Sequence, residues 1–227
     1  MEPINVRVRG SHTSSYPAER GTVHCEISLQ GPDPVEVMRA VTASLRDVVA
    51  SVQDLHDKRS GPITWYSVDQ VSTRAWIPRD RNGNDMAEVH QSSVSLEVKF
   101  SDFDELSSWV TAGSEVLGFS VGWVDWTLTS KKREAVEVKA RQRAVRDARK
   151  RAQDYADALD LGQVQVRAIS DPGLGFPALT QNGPDRHLEL LGSVGGAEDA
   201  TSSGERVLVP KNIEVGASVD AEFVLAS

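Results

Sequence analysis

A chain of 227 residues with a 39% apolar fraction is long enough to bury one large core or two small intertwined ones. Its formal charge of −8 argues against non-specific nucleic-acid binding by the whole surface, and a single cysteine, Cys25, excludes an internal disulfide framework. No apolar run approaches the roughly 20 residues of a membrane-crossing helix, and residues 1–5 show neither the basic nor the apolar part of a secretory signal, so the sequence points to the cytoplasm.

The first strand is read from Ile4, Val6 and Val8, which alternate with Asn5, Arg7 and Arg9. Val23, Cys25, Ile27 and Leu29 repeat the pattern, and the turn-like run 10–15 between the two predicts an antiparallel pair. Asp33 and Pro34 open a helix, with Asp33 as cap and Pro34 in the first turn. Met38, Val41, Leu45, Val48, Val52 and Leu55 then form one apolar stripe. His56, Lys58 and Arg59 gather at its end, where cations suit the helix dipole.

Residues 62–77 read as extended, with a parity slip near Val68 that predicts a bulge. The loop 79–85 holds Asn82-Gly83, a hairpin signal, and His90, Ser92, Val94, Leu96, Val98 and Phe100 mark one face of the return strand. A short helix follows, capped by Asp102 or Ser101 and apolar at Phe103, Leu106, Trp109, Val110 and Val116. A strand over 119–129 shifts its parity around Trp123-Val124, and a long helix over 131–160 leads into a strand at Val164 and Val166. Residues 171–206, rich in Gly, Pro and Ser, are expected to be a flexible or partly disordered insertion before a last strand at 217–225. The order predicts an α+β protein: antiparallel sheets with three helices packed on one side, built as two intertwined α/β halves of a single domain over 1–227.

The run Ala140-Arg141-Gln142-Arg143-Ala144-Val145-Arg146-Asp147-Ala148-Arg149-Lys150-Arg151-Ala152, followed by Leu161-Gly162 and a strand, resembles the long alanine-rich helix of SIMPL-domain proteins. Val6-Arg7-Val8-Arg9-Gly10, the helix at 33–55, Val94-Ser95-Leu96-Glu97-Val98 and Ile213-Glu214-Val215-Gly216-Ala217-Ser218-Val219 fall in the order of that family. The resemblance implies an α+β fold and no catalytic residues, since none is established for the family. Its bacterial members are mostly exported, and some assemble into large oligomers. An animal relative is named for binding a signalling kinase. The lack of an export signal sets this sequence apart from the exported members.

The alanines at 140, 144, 148, 152 and 156 form a smooth ridge, read first as core packing and second as a contact between chains. Between 131 and 151 there are ten cations and three acids, so this segment carries +7 and the rest must carry −15 to reach −8. Lys131, Lys132, Arg143, Arg146 and Lys150 are the candidate basic patch, for an acidic protein surface or another anion; the absence of interleaved aromatics argues against nucleic acid as a partner. Acids four residues from cations give the plainer reading of a solvated face. Lys131 and Lys132 sit at the helix N-terminus, where fraying or a bound anion would relieve their charge.

Five scattered histidines show no metal-ligand spacing, Asp80-Asn82-Asn84 lacks the glycine and the acid of a calcium loop, and Cys25 reads as core. No nucleophile elbow or phosphate loop is present, so no catalytic residue, metal or cofactor is assigned. The sequence therefore suggests a non-enzymatic interaction protein, a homo-oligomer joined through strand edges and the alanine ridge. Trp65, Trp76, Trp123 and Trp126 are the candidate interaction surface. The alternatives are anion or nucleic-acid binding by 131–151, and an enzyme without a recognisable motif.

Overall fold

The computed structural model describes residues 4–174 and 208–225. The expected insertion at 171–206 lies outside them, apart from a turn at 171–174 in which Leu174 N–H donates to Asp171 O at 3.1 Å. The described residues form eight strands and three helices in two antiparallel sheets, the α+β class expected. They divide into two compact units, one of residues 4–14, 134–174 and 214–225, the other of 15–133 and 208–213.

In the larger unit β2 (Arg20–Gly31), β3 (Ile63–Val68), β4 (Ser72–Trp76), β5 (Val89–Phe100) and β6 (Phe119–Thr127) form one sheet in the order β3-β5-β2-β6, with β4 also on β5. All these pairings are antiparallel. α1 (Pro34–Leu55) starts as expected, Asp33 accepting from Val35 N and Glu36 N. It buries Val37, Val41, Ser44, Val48 and Val52 against the sheet. Met38 stays partly exposed because Val37 takes the buried position at the start of that stripe. α2 (Phe103–Gly113), capped by Asp102, joins the same core through Leu106 and Trp109. Trp109 lies 5.5 Å from Phe100, centroid to centroid.

The parity slips have two causes. At Val68 the strand is interrupted: β3 ends there and β4 begins at Ser72, while Asp69 N–H still reaches Ser95 O at 3.0 Å. In β6 the register shifts between His24–Trp123 and Cys25–Val121, so Gly122 is the extra residue of a bulge. The 79–85 loop is the predicted hairpin turn. Asp80 accepts from Asn82 N, Asn84 N and Asn84 Nδ2, and Gly83 has φ +84°. These donors hold the Asp80 carboxyl below its usual range. Beyond α1, Lys58 and Arg59 stand in a turn whose N–H groups at Arg59 and Ser60 donate to Asp57, not in the helix itself.

The smaller unit lays α3 (Ser130–Ala158) on a sheet of β1 (Ile4–Tyr16), β8 (Ile213–Leu225) and β7 (Val164–Ser170), in the order β1-β8-β7. Arg7 meets Glu222 and Arg9 meets Asp220, partners that run in opposite directions along β1 and β8. Two expectations fail here. Residues 10–15 are strand and not turn, and β1 pairs with β8 instead of β2. Gly10 misleads because its glycine serves packing. A Cβ there would collide with the Ala144 carbonyl oxygen and the Ala148 backbone.

The alanine ridge is the floor of that contact. Ala144, Ala148, Ala152 and Ala156 are 0% exposed and pack with Val219, Ala221, Phe223 and Leu225. The ridge is thus buried within its own unit, the first of the two readings its spacing allowed. On the opposite face of the sheet, Glu222 is only 6% exposed. Arg7 at 3.0 Å and Arg167 at 3.2 Å bracket its carboxylate.

Candidate functional site

The helices cover one face of the five-stranded sheet and leave the other to polar side chains. Strand alternation and register assemble that second face in rows. One row runs Trp65, Lys99, Thr22, Asp125, and the next runs Ser67, Glu97, His24, Trp123. Further along, Arg74 stands beside Gln91, with Trp76 opposite Val89. Antiparallel sheets that carry helices on one side commonly look like this, hydrophobic within and polar without. Three indoles, two of them exposed, are the departure from that pattern.

Each of those indoles is braced from a neighbouring side chain. Lys99 Nζ lies 5.1 Å from the Trp65 ring centroid, and Trp65 is 43% exposed. His24 stacks on Trp123 at 4.5 Å and 14°, and Trp123 is 60% exposed. Arg74 sits over Trp76 at 5.2 Å while donating to Gln91 Oε1 from Nε and Nη2. Gln91 in turn donates to Ser28 Oγ at 2.6 Å. His24 is itself fixed, its Nε2 2.8 Å from Asp125 Oδ2 and its Nδ1 3.5 Å from Glu97 Oε1. Cations over indole faces contribute about 0.5–1 kcal/mol at exposed sites, a bias of roughly two- to fivefold toward the stacked orientation.

Trp126 does not belong to this face. The Gly122 bulge sets it opposite Gly21 on the helix-covered side. Its ring packs edge-on against Phe103 at 5.0 Å, and a Cβ at Gly21 would lie 2.8 Å from it. The missing side chain at Gly21 is what admits the indole.

The basic residues fall on one helix, but they are not one patch. At 100° per residue, Lys132, Lys139, Arg143, Arg146 and Lys150 share a sector of α3 about 60° wide, from which Lys131 is turned away. Neither fraying nor a bound anion is needed at the helix start. Glu19 accepts from Thr129 N and Oγ1 at 3.2 and 2.6 Å, and Thr129 Oγ1 accepts from Lys132 N. The Thr129 hydroxyl is the main reason the Glu19 carboxyl is held below its usual range. Lys132 Nζ also lies 6.0 Å from the Tyr16 ring centroid.

Arg146 and Lys150 border an open depression of about 600 Å³ with Arg149, Gln153, Asp154, Asp157 and Gln163, so two carboxylates already face those cations. Arg143 stands apart: its Nη1 is 3.1 Å from His12 Nε2 and 3.4 Å from Ser14 Oγ. Sequence reasoning passed over His12 and Ser14 because it read their segment as a turn. Their spacing of two along a strand was the available signal.

Elsewhere, an open, mainly apolar hollow of about 440 Å³ lies between Pro34, Val35 and Met38 of α1 and Thr73, Ala75, His90 and Ser92 of the sheet. Cys25 is buried, donates to Leu96 O at 3.5 Å, and has its pKa pushed up to about 12 by burial, which makes it a core thiol. Among the described residues no three His, Cys, Asp or Glu side chains converge as metal ligands would. Among them, too, no helix is long and apolar enough to cross a membrane.

Fold and surface together define an α+β protein in which helices roof antiparallel sheets and one sheet face is left polar and aromatic. The family model for SIMPL, described as a protein of unknown function (DUF541), matches residues 6–223, and the chain belongs to that family. No individual curated protein matches it.

Proposed function

We propose that this protein works by self-association, as a homo-oligomer whose contact surface is the face of the five-stranded sheet opposite α1 and α2. The observation that carries the reading is the trio Trp65, Trp76 and Trp123, each with a side chain stacked on its ring, on a face that no helix of its own unit covers. Rigid aromatics lose little entropy on docking and dominate contact energies. The occupant is a second copy because the face mixes signs: Lys99 and Arg74 lie among Glu97, Glu26 and Asp125. In a two-fold pairing a surface that carries both signs can set its cations against its own acids in the second copy. Trp123 sits on β6, the end strand of that sheet among the described residues.

Light scattering coupled to gel filtration across micromolar concentrations tests this. The chain should elute as a defined oligomer, and Trp65→Ala combined with Trp123→Ala should shift it to monomer without loss of helical signal. A strict monomer throughout would sink the reading, as would an assembly indifferent to both substitutions.

A further inference from the structure

We propose that His12, Ser14 and Arg143 form a binding site for a tetrahedral phosphate dianion, either free or carried as a monoester on a small molecule. Alternation along β1 sets His12 and Ser14 on one side of the strand, and α3 brings Arg143 to both. The three polar groups converge closely: Arg143 Nη1 to His12 Nε2 is 3.1 Å, Arg143 Nη1 to Ser14 Oγ is 3.4 Å, and His12 Nε2 to Ser14 Oγ is 2.7 Å.

A guanidinium only donates, so His12 Nε2 accepts and the ring carries its proton on Nδ1. Arg143 is thus a full cation whose contacts are both neutral, and no carboxylate of the described residues lies within ion-pair distance. Asp147, one turn further along α3, is engaged by Ser11 N at 3.0 Å and Arg151 Nε at 2.9 Å. Lys139 and Arg146 flank Arg143 within a turn and add positive field.

The close Ser–His contact also invites a nucleophilic reading, and the geometry disfavours it. With the ring proton on Nδ1, Ser14 O–H donates to Nε2 at 2.7 Å but shares that lone pair with the Arg143 cation, and among the described residues no carboxylate orients Nδ1. An arriving phosphate instead takes the guanidinium fork and the Ser14 hydroxyl. The His12 ring, which carries one N–H, adds a donor when it turns that N–H toward the anion. A carboxylate, with one charge and two oxygens, leaves part of that donor set unmet. The site draws on none of the residues of the proposed assembly face, so either proposal can fail without the other.

Isothermal titration of the full chain with inorganic phosphate and with glycerol 3-phosphate tests it. Saturable binding is expected, weakened about tenfold by Arg143→Gln and less by His12→Gln or Ser14→Ala. Lys131→Gln should leave it unchanged. Tighter binding of glycerol 3-phosphate assigns the site to monoesters, and equal binding to the free ion. If Arg143→Gln does not fold, Arg143→Lys keeps the charge without the fork and should still weaken binding several-fold. Absence of saturable binding overturns the proposal. So does a loss from Lys131→Gln equal to that from Arg143→Gln, which would mean diffuse charge and no site.

Discussion

The two units place helices on antiparallel sheet by opposite means. In the larger one, α1 and α2 stand off from the sheet on Val, Leu, Ile, Phe and Trp side chains that fill the space between. In the smaller one, α3 comes down on its backbone, with Ala144 and Ala148 resting where Gly10 has no side chain. The first interior is sensitive to what is removed from it, the second to what is added. The close approach has a further consequence: with the ridge so narrow, most of α3 is left to long charged side chains, and one of them, Arg143, reaches β1.

Four substitutions bear on that contrast, in decreasing order of effect. Phe100→Ala, which empties a fully buried position, should cost about 3–5 kcal/mol in urea denaturation. Gly10→Ala adds a single methyl group yet should cost about 3 kcal/mol, because backbone atoms stand in its way. A neutral result there would erase the distinction between the two interiors. Asp33→Ala, which removes only the cap of α1, should cost about 1 kcal/mol and leave the core intact, as hydrogen exchange at Val35 and Glu36 can register.

The smallest effect concerns pH. Hydrogen bonds from Arg9 hold the Asp220 carboxyl below its usual range. A group with a lowered folded-state pKa contributes stability above its unfolded value and loses it as pH falls through the folded one. Arg9→Gln should therefore move acid unfolding to higher pH, with less than about 1 kcal/mol at stake for so open a pair. An unchanged acid midpoint would deny the pair any part in stability.

Much of the fold was legible in order and periodicity. The cap at Asp33, the stripe of α1, the Asn82-Gly83 turn and the alternation of β5 are local patterns, and local patterns survive into the structure. The alanine ridge was legible as a packing surface as well. What it packs against was not, since β1 finds β8 across nearly the whole chain. Gly10 shows the difficulty: in sequence a glycine among serines and a threonine reads as a turn, and only the α3 backbone above it reveals a packing glycine.

The candidate surfaces divide in the same way. Three of the four tryptophans chosen from sequence lie on one exposed face, whereas the fourth entered the core because one extra residue, Gly122, reversed the strand's parity before it. The basic helix was plain from its residues, but which cation lacked an acid depended on partners from β1 and from the loop before α3.

By itself the sequence determined the elements and their faces, because periods of 2 and 3.6 residues are set by covalent geometry and hydrophobic burial along the chain. Strand partners, the bulge that turned Trp126 inward and the meeting of His12, Ser14 and Arg143 were decided only in three dimensions. They depend on which backbones approach closely, and that is a property of pairs of segments remote from one another in the chain.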